Sequence, residues 1–497
     1  MADARTDSQP APSLTSNRST LPQTPEFRAY ISSNWAQHPD LPPSPRVAAE
    51  YAAARRLRLS ALYPGTRLIV PAGPARVRSN DTDYAYRAHS AFAHLTGWGS
   101  DAVPDSVLVL EPTADGHDAT LYFLGAAGRD TQEFYANAAI GEFWTGPRPS
   151  LAHVAADLGL ATRELAGLET VLDASDDTTL IVRDADPGLT DQLDGRRLLA
   201  AEDSDAVDET RDVTLARDLS ELRFVKDDWE LAEMTAAIEA TKRGFDQIIA
   251  DLAEAIETDR GERVVEGAFN RRARIEGNAV GYDTIAASGP HACYLHWTRN
   301  DGPVVPGDLL LVDAGVELDS LYTADITRTL PVSGTFTPVQ RKVYEAVLEA
   351  TDAARAIVKP GIRFRDIHAE AMRVIAEKTA EWGLLPASAE ESLDGDGQWH
   401  RRYMIHGTSH HLGLDVHDCA KARRELYAEG ILEPGMVFTI EPGLYFQPDD
   451  LTVPEELRGI GIRIEDNVVV TATGCDLLSG DIPRTADDVE AWMQALR

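Results

Sequence analysis

Cysteine is scarce. Cys293, Cys419 and Cys475 are the only three in 497 residues, they lie far apart, and no two form a CxxC pair. No thiolate zinc site is visible, and a reducing, cytoplasmic compartment is the simplest setting. Basic charge is also short: 47 Lys and Arg stand against 81 Asp and Glu, a formal net charge of −34. That balance argues against a broad basic face for nucleic acid or for an anionic membrane. No uncharged apolar run reaches the roughly 18 residues needed to span a bilayer. Residues 1–26 are rich in Pro, Ser and Thr, lack the apolar core of a secretory signal, and read as a mobile tail.

What is present describes an ordinary globular chain, 43% hydrophobic and 26% charged, long enough for two or three domains. Over residues 27–220, apolar runs such as TRLIVPAG, DSVLVLEP, ATLYFLG and TTLIV alternate with helical stretches, which predicts an α/β domain without a phosphate-binding glycine motif. The acidic stretch Ala200–Thr214 reads as an exposed connection near its end. Residues 221–497 form the second domain. A long amphipathic helix is expected from Lys226 through Ile256, a second from Gly261, then strand material and a hairpin over Leu309–Pro331. After Pro338 the order of helix, helix and strands returns, with a break at Pro360 and Gly361. Such a duplication predicts a sheet of two halves with a cavity near its pseudo-twofold axis.

The hairpin carries the first chemical signal. Asp313 ends a buried apolar run and Asp325 opens the facing segment. A carboxylate there must be paired, hydrogen-bonded or metal-bound, and two facing each other repel unless a cation lies between them. A bland alternative is that Asp313 merely ends its strand while Asp325 pairs with Arg328. Three later stretches add to the signal: HGTSHHLGLDVHD with His406, His410, His411 and His417; MVFTIEPGLY with Glu441 ending a strand; and GIGIRIEDNVVV, where Arg463 and Glu465 share a face. Each has its own bland reading, such as a turn cap, an Arg463–Glu465 ion pair or a surface loop of histidines. One metal centre accounts for all of them together. Four carboxylates and one imidazole suit a pair of hard divalent ions, balance their charge, and make a shared hydroxide nucleophilic near neutral pH.

These stretches, with YDTIAASGPHACYLHWT and ILEPGMVFTIEPGLY, resemble the pita-bread metallopeptidases, most closely the aminopeptidase P family. The resemblance implies an α/β N-terminal domain followed by an α+β pita-bread catalytic domain with pseudo-twofold duplication. It implies two divalent ions, Mn2+ first with Co2+ or Zn2+ also suited, held by Asp313, Asp325, His410, Glu441 and Glu465, of which Asp325 and Glu465 bridge. It gives His296, His406 and His417 the scissile carbonyl and tetrahedral intermediate, sets Arg463 to orient Glu465, and lets Glu441 also carry a proton. RSNDTDYAYRAHSAFAHLTGW and EFWTGPRP resemble the family's N-terminal domain, which makes Trp144 a substrate contact reaching a neighbouring subunit of a homodimer or homotetramer. Tyr445 is expected on the substrate side as well. Peptides with proline at position 2 are the implied substrates, with no nucleic acid and no membrane partner. Prolidase is the nearest alternative. A metal-free creatinase-like hydrolase or a non-catalytic binding protein on the same scaffold would have lost the ligands. Two departures stand out. Twelve positions separate Asp313 from Asp325, one more than usual, to be absorbed around Leu318–Leu321, and His411 occupies a position where an aromatic residue is common, facing away from the ligands.

Overall fold

The computed structural model describes residues 22, 24–36, 41–80, 82–176, 178–200 and 209–497. The tail expected over residues 1–26 lies almost wholly outside the described residues, as does most of the acidic stretch 200–214. One boundary moves: the helix Pro25–Ile31 begins inside the expected tail, because Thr24 accepts from the Phe27 amide and Pro25 supplies a pre-set first helical turn.

Alternation of period two builds the N-terminal domain. Its five-stranded sheet runs Ala161–Glu164, Gly116–Phe123, Val107–Thr113, Leu68–Pro71, Leu180–Ile181, with antiparallel pairs in the middle and a parallel pair at each edge. Leu68 and Val70 point to one face, where Leu59, Phe92, Leu95 and Trp98 cover them. Ile69 points to the other, beneath Leu172, Leu189 and Leu193. Both faces are therefore buried under helices, as an α/β layer architecture requires.

In the second domain the expected long helix is two, Asp228–Ala250 and Leu252–Glu257, interrupted at Asp251. The first is fixed at its start by a capping box between Asp227 and Glu230. The helix Gly261–Glu276 follows, then the strands Ile285–Ser288, Leu309–Ala314 and Ile326–Pro331 in one antiparallel sheet. In the second half the helices Pro338–Ala356 and Phe364–Glu381 precede the strands Val437–Ile440, Asp466–Val470 and Cys475–Leu477. The halves are stitched between residues 327–329 and 463–465: Glu465 N donates to Thr327 O at 3.1 Å, and Arg463 N to Thr329 Oγ1 at 3.2 Å. At the hairpin tip Leu321 N closes a turn onto Leu318 O at 2.9 Å, with Leu321 at φ +71°. The N-terminal domain seats on that tip. Ser100 N donates to Asp319 O, and Gly99 lies so close that a Cβ there would meet this oxygen at 2.0 Å.

Candidate metal centre

The hairpin register sets Asp313 opposite Thr327, one pair from the strand end, and leaves Asp325 just before Ile326. Asp325 is fixed from the other half of the domain, where the Asn467 amide donates to its carbonyl at 2.6 Å and accepts from its N–H at 3.3 Å. Glu441 follows the strand Val437–Ile440 and donates its N–H to Thr408 O at 2.8 Å. His410 is tied to the same strand through Thr439. Glu465 accepts from Thr327 Oγ1 at 2.8 Å on one oxygen, while its other oxygen, Oε1, is buried with no partner among the described residues.

Together these anchors bring one ligand atom each from Asp325, His410 and Glu465 within 4.8 Å of one another. His410 Nε2 is 3.2 Å from Asp325 Oδ2 and 3.6 Å from Glu441 Oε1. Asp313 joins the cluster through Tyr282, whose hydroxyl donates to Asp313 at 2.6 Å and also to Asp325. The cluster lies in a cavity of about 640 Å³ whose wall includes all five expected ligands together with His296, His406, His417 and Arg463.

The electrostatics ask for cations. Burial, then the neighbouring Asp313, push Asp325 well above its ordinary range; burial, then Asp325, do the same to Glu465. Glu441 is raised to about 8 by burial and by Glu465. Asp313 alone stays below its ordinary range: burial works against its charge, but Arg463 and the Tyr282 bond outweigh it. Three carboxyls that cannot ionise together, an oxygen without a partner and one imidazole among them fit hard divalent ions that also accept a nitrogen donor.

Several expectations change. Asp325 does not pair with Arg328, which is buried and bonded to Asp466 at 2.8 Å, the partner that alignment of the two halves brings to it. Arg463 does not pair with Glu465. Its guanidinium meets Asp313 at 2.5 Å, Thr327 Oγ1 at 3.1 Å and the Tyr445 hydroxyl at 3.1 Å, and reaches Glu465 only through Thr327. Tyr445, expected against the substrate, is buried behind the wall, its hydroxyl 2.8 Å from His406 Nε2. His406 lines the cavity with both nitrogens engaged, the other facing Gly407 O at 2.6 Å. The rings of His296 and His417 have no hydrogen bond among the described residues, and His417 stands edge-on to His410 at 4.4 Å. Trp144 is outside this cavity: it is 54% exposed and donates its indole N–H to Tyr135 O at 2.8 Å. His411 faces away from the cluster, as its place beside His410 on an extended segment implies, and is packed between Phe364 and Phe224. Tyr282, Thr327 and Asn467 were not expected. Hydroxyl and amide residues flanking strand ends carry no pattern that marks them.

Two family models match the chain: one described as metallopeptidase family M24 over residues 232–472, and one described as aminopeptidase P, N-terminal domain, over residues 52–182. The sequence is 52% identical over 470 residues to Xaa-Pro aminopeptidase 2 of Streptomyces coelicolor, covering 94% of this chain and 96% of that protein. It is 32% identical over 460 residues to the Xaa-Pro aminopeptidase of Escherichia coli, covering 90% and 98%. Among solved structures, a variant of Escherichia coli aminopeptidase P in complex with substrate superposes with a TM-score of 0.76 at 29% identity, over 91% of this chain and 100% of that one. Aminopeptidase PepP of Pseudomonas aeruginosa gives 0.76 at 31% identity, over 91% and 99%.

Proposed function

The chain belongs to metallopeptidase family M24, with an aminopeptidase P N-terminal domain ahead of a pita-bread catalytic domain, and on that ground we propose that its carboxylate cavity releases the N-terminal residue from peptides whose second residue is proline. The observation that carries this reading is the convergence of Asp325, His410 and Glu465 within 4.8 Å around a buried, unpartnered oxygen. Proline has no amide N–H and a fixed φ, so general aminopeptidases handle it poorly and a shaped cavity is required.

Asp313, Asp325, His410, Glu441 and Glu465 would hold two divalent ions, manganese first, with cobalt or zinc also suited to the donors. Ions of this kind, when bound, lower the pKa of water and polarise a carbonyl. The protein supplies the rest. Glu441, on the cavity wall 3.6 Å from His410, is placed to hold the proton released by water and to deliver it to the proline nitrogen. His296 and His417, whose ring nitrogens have no hydrogen bond among the described residues, are suited to hydrogen-bond the scissile oxygen as charge develops on it. His406, braced by Tyr445, walls the same side and is held neutral, at about 3, by burial and by Arg463.

The half-exposed Phe143 and Trp144 support an oligomer, a homodimer or homotetramer in which Trp144 of one copy meets substrate in another. Three unpaired cysteines support a cytoplasmic setting. No helix among the described residues is long and apolar enough to cross a membrane.

The test is turnover of chelated protein, with and without added Mn2+, on Ala-Pro-Ala, Ala-Pro and Ala-Ala-Ala. Metal-dependent release of alanine from Ala-Pro-Ala, well above that from Ala-Ala-Ala, is the expected result. Activity confined to the dipeptide would restrict the enzyme to Xaa-Pro dipeptides, and silence on every peptide with metal present overturns the reading.

A further inference from the structure

The loop that carries the cavity's histidines is not held by its own domain alone. Thr439 N donates to His410 O at 2.9 Å, Asp418 N turns back onto His411 O at 2.9 Å, and His417 returns against the cavity. The tip between them is gripped by the N-terminal domain. Arg87 donates from Nη2 to Leu414 O at 2.5 Å, and Ser90 from Oγ to Asp415 Oδ1 at 2.5 Å. The same guanidinium donates from Nε to Glu317 at 2.6 Å and from Nη1 to Ser90 Oγ at 3.2 Å. Glu317 is buried on the strand Val316–Glu317, which continues the hairpin arm bearing Asp313, and it also accepts from Asn278 at 2.8 Å. One arginine of the N-terminal domain thus ties the hairpin that carries two expected ligands to the loop that carries His410 and His417.

Packing fixes only one side of this tip. Leu412 and Leu414 are buried in a cluster with Ala93, from the same helix as Ser90. Asp415 instead faces a cavity of about 300 Å³ lined by Arg87, Ser90, Arg223 and Lys421. Its place depends on directed bonds, those to Ser90 and to Arg223 Nη2 at 3.1 Å. His417 lies two residues on. Its ring has no hydrogen bond of its own among the described residues, so its orientation comes from the loop backbone and from the edge-on contact with His410, on the same loop.

We propose that Arg87 and Ser90 are positioning residues for the peptidase reaction: the N-terminal domain sets His417 against the substrate by clasping the histidine loop to the hairpin. The proposal rests on the substrate-side role given to His417 above. The Arg87 side chain is 32% exposed but Glu317 is buried, so removing the arginine also costs stability, and the geometric effect is read as turnover of the folded, metal-loaded protein. A displacement of about 1 Å in a group aimed at the reacting carbonyl is enough to lower turnover about 10²-fold.

The test compares Arg87→Ala, Arg87→Lys, Ser90→Ala and His417→Ala, and the pairing of each clasp variant with His417→Ala, in the full-length, Mn2+-loaded protein on Ala-Pro-Ala. Arg87→Ala is expected to lower kcat about 10- to 100-fold with KM within about threefold of the parent and unchanged metal content. Arg87→Lys recovers only part, since an ammonium cannot span Glu317 and Leu414 O together. Ser90→Ala, which keeps the Arg87–Glu317 bond, loses about three- to tenfold and covers the case in which Arg87→Ala fails to fold. In the His417→Ala background neither clasp variant lowers kcat by more than about twofold, because the group it positions is gone. Parental kcat in Arg87→Ala or Ser90→Ala, or the full single-variant loss repeated on top of His417→Ala, overturns the proposal. A fast Arg87→Ala beside a slow His417→Ala removes the clasp alone, whereas a fast His417→Ala removes the role of that histidine and the clasp with it.

Discussion

Arg463 holds Asp313 at 2.5 Å, both side chains almost out of reach of solvent, and that contact divides the cluster into two kinds of carboxylate. Asp313 is kept ionised against burial by its guanidinium partner, while Asp325 and Glu465 are driven toward protonation by burial and by nearby carboxylates. One arm of the site is permanently charged; the other awaits a cation.

Arg463→Met is therefore expected to leave a buried carboxylate without its countercharge. The metal-free protein should lose about 3–5 kcal/mol of stability, the range for breaking a buried pair, and kcat/KM should fall about 10- to 100-fold through loss of ligand orientation. Urea unfolding of chelated protein and steady-state turnover of the metal-loaded form measure the two effects. Parental values in both would show that Asp313 does not depend on Arg463.

The raised carboxyls give the metal-free protein a pH dependence of definite sign. A group whose folded pKa lies above its unfolded value contributes stability at low pH that is lost as pH rises through the folded value; for Glu441 that window runs from its ordinary 4.5 to about 8. Asp325 and Glu465 act in the same direction. Chelated protein should melt at lower temperature at pH 8 than at pH 6, and added Mn2+ should reverse the order, because the ion takes the place of the protons. Asp325→Asn relieves part of the repulsion. It is expected to melt no lower than the parent when chelated, to gain little from Mn2+, and to be inactive. A variant that Mn2+ stabilises as much as the parent would remove Asp325 from the ligand set.

Much of this was legible in the sequence, and what was not has common causes. Alternating residues gave both the hairpin and the two-faced N-terminal sheet, and an Asp or Glu ending an apolar run marked Asp313 and Glu441, because only a charged group with a purpose tolerates that place. Partner choice was not legible. Arg463 and Glu465 share a face, yet the nearest countercharge for Arg463 lies 150 positions away in the other half of the domain. Arg87 meets Glu317 and Leu414 at separations of 230 and 327, contacts that exist only once the two domains have docked. The long helix from Lys226 was overextended because its apolar spacing runs on through the break at Asp251.

Tyr282 gives both hairpin aspartates a single shared donor, and burial, then Asp313, hold its hydroxyl in the protonated form. Tyr282→Phe keeps the ring and removes that donor. Metal affinity measured by calorimetry should weaken about 10-fold or more, with little change in the fold. Unaltered affinity would show that the bond merely fills space in the metal-free site.

His94 supplies an acid-sensitive element outside the cavity of the metal ligands. It is 1% exposed, its ring nitrogens have no hydrogen-bond partner among the described residues, and the nearest carboxylate oxygen, on Glu230, is 3.6 Å away. Burial, then Arg55, Arg223 and Lys226, push its pKa well below 6.5. The folded protein therefore keeps His94 neutral while the unfolded chain takes up a proton. Its contribution is fully present above pH 6.5 and is lost as pH falls toward the folded value, at up to about 1.4 kcal/mol per pH unit. Glu230 works the other way, since burial raises it against the pull of Arg55 and Lys226, and its contribution is lost as pH rises from 4.5. Between pH 6.5 and 5 the two slopes oppose each other, and the difference between the parent and a variant lacking the imidazole isolates the share of the histidine. His94→Gln should lower stability at pH 7.5 but flatten the decline toward pH 5 relative to the parent. Denaturant unfolding at half-unit pH steps gives both slopes, and parallel curves would exclude His94 as the group that titrates.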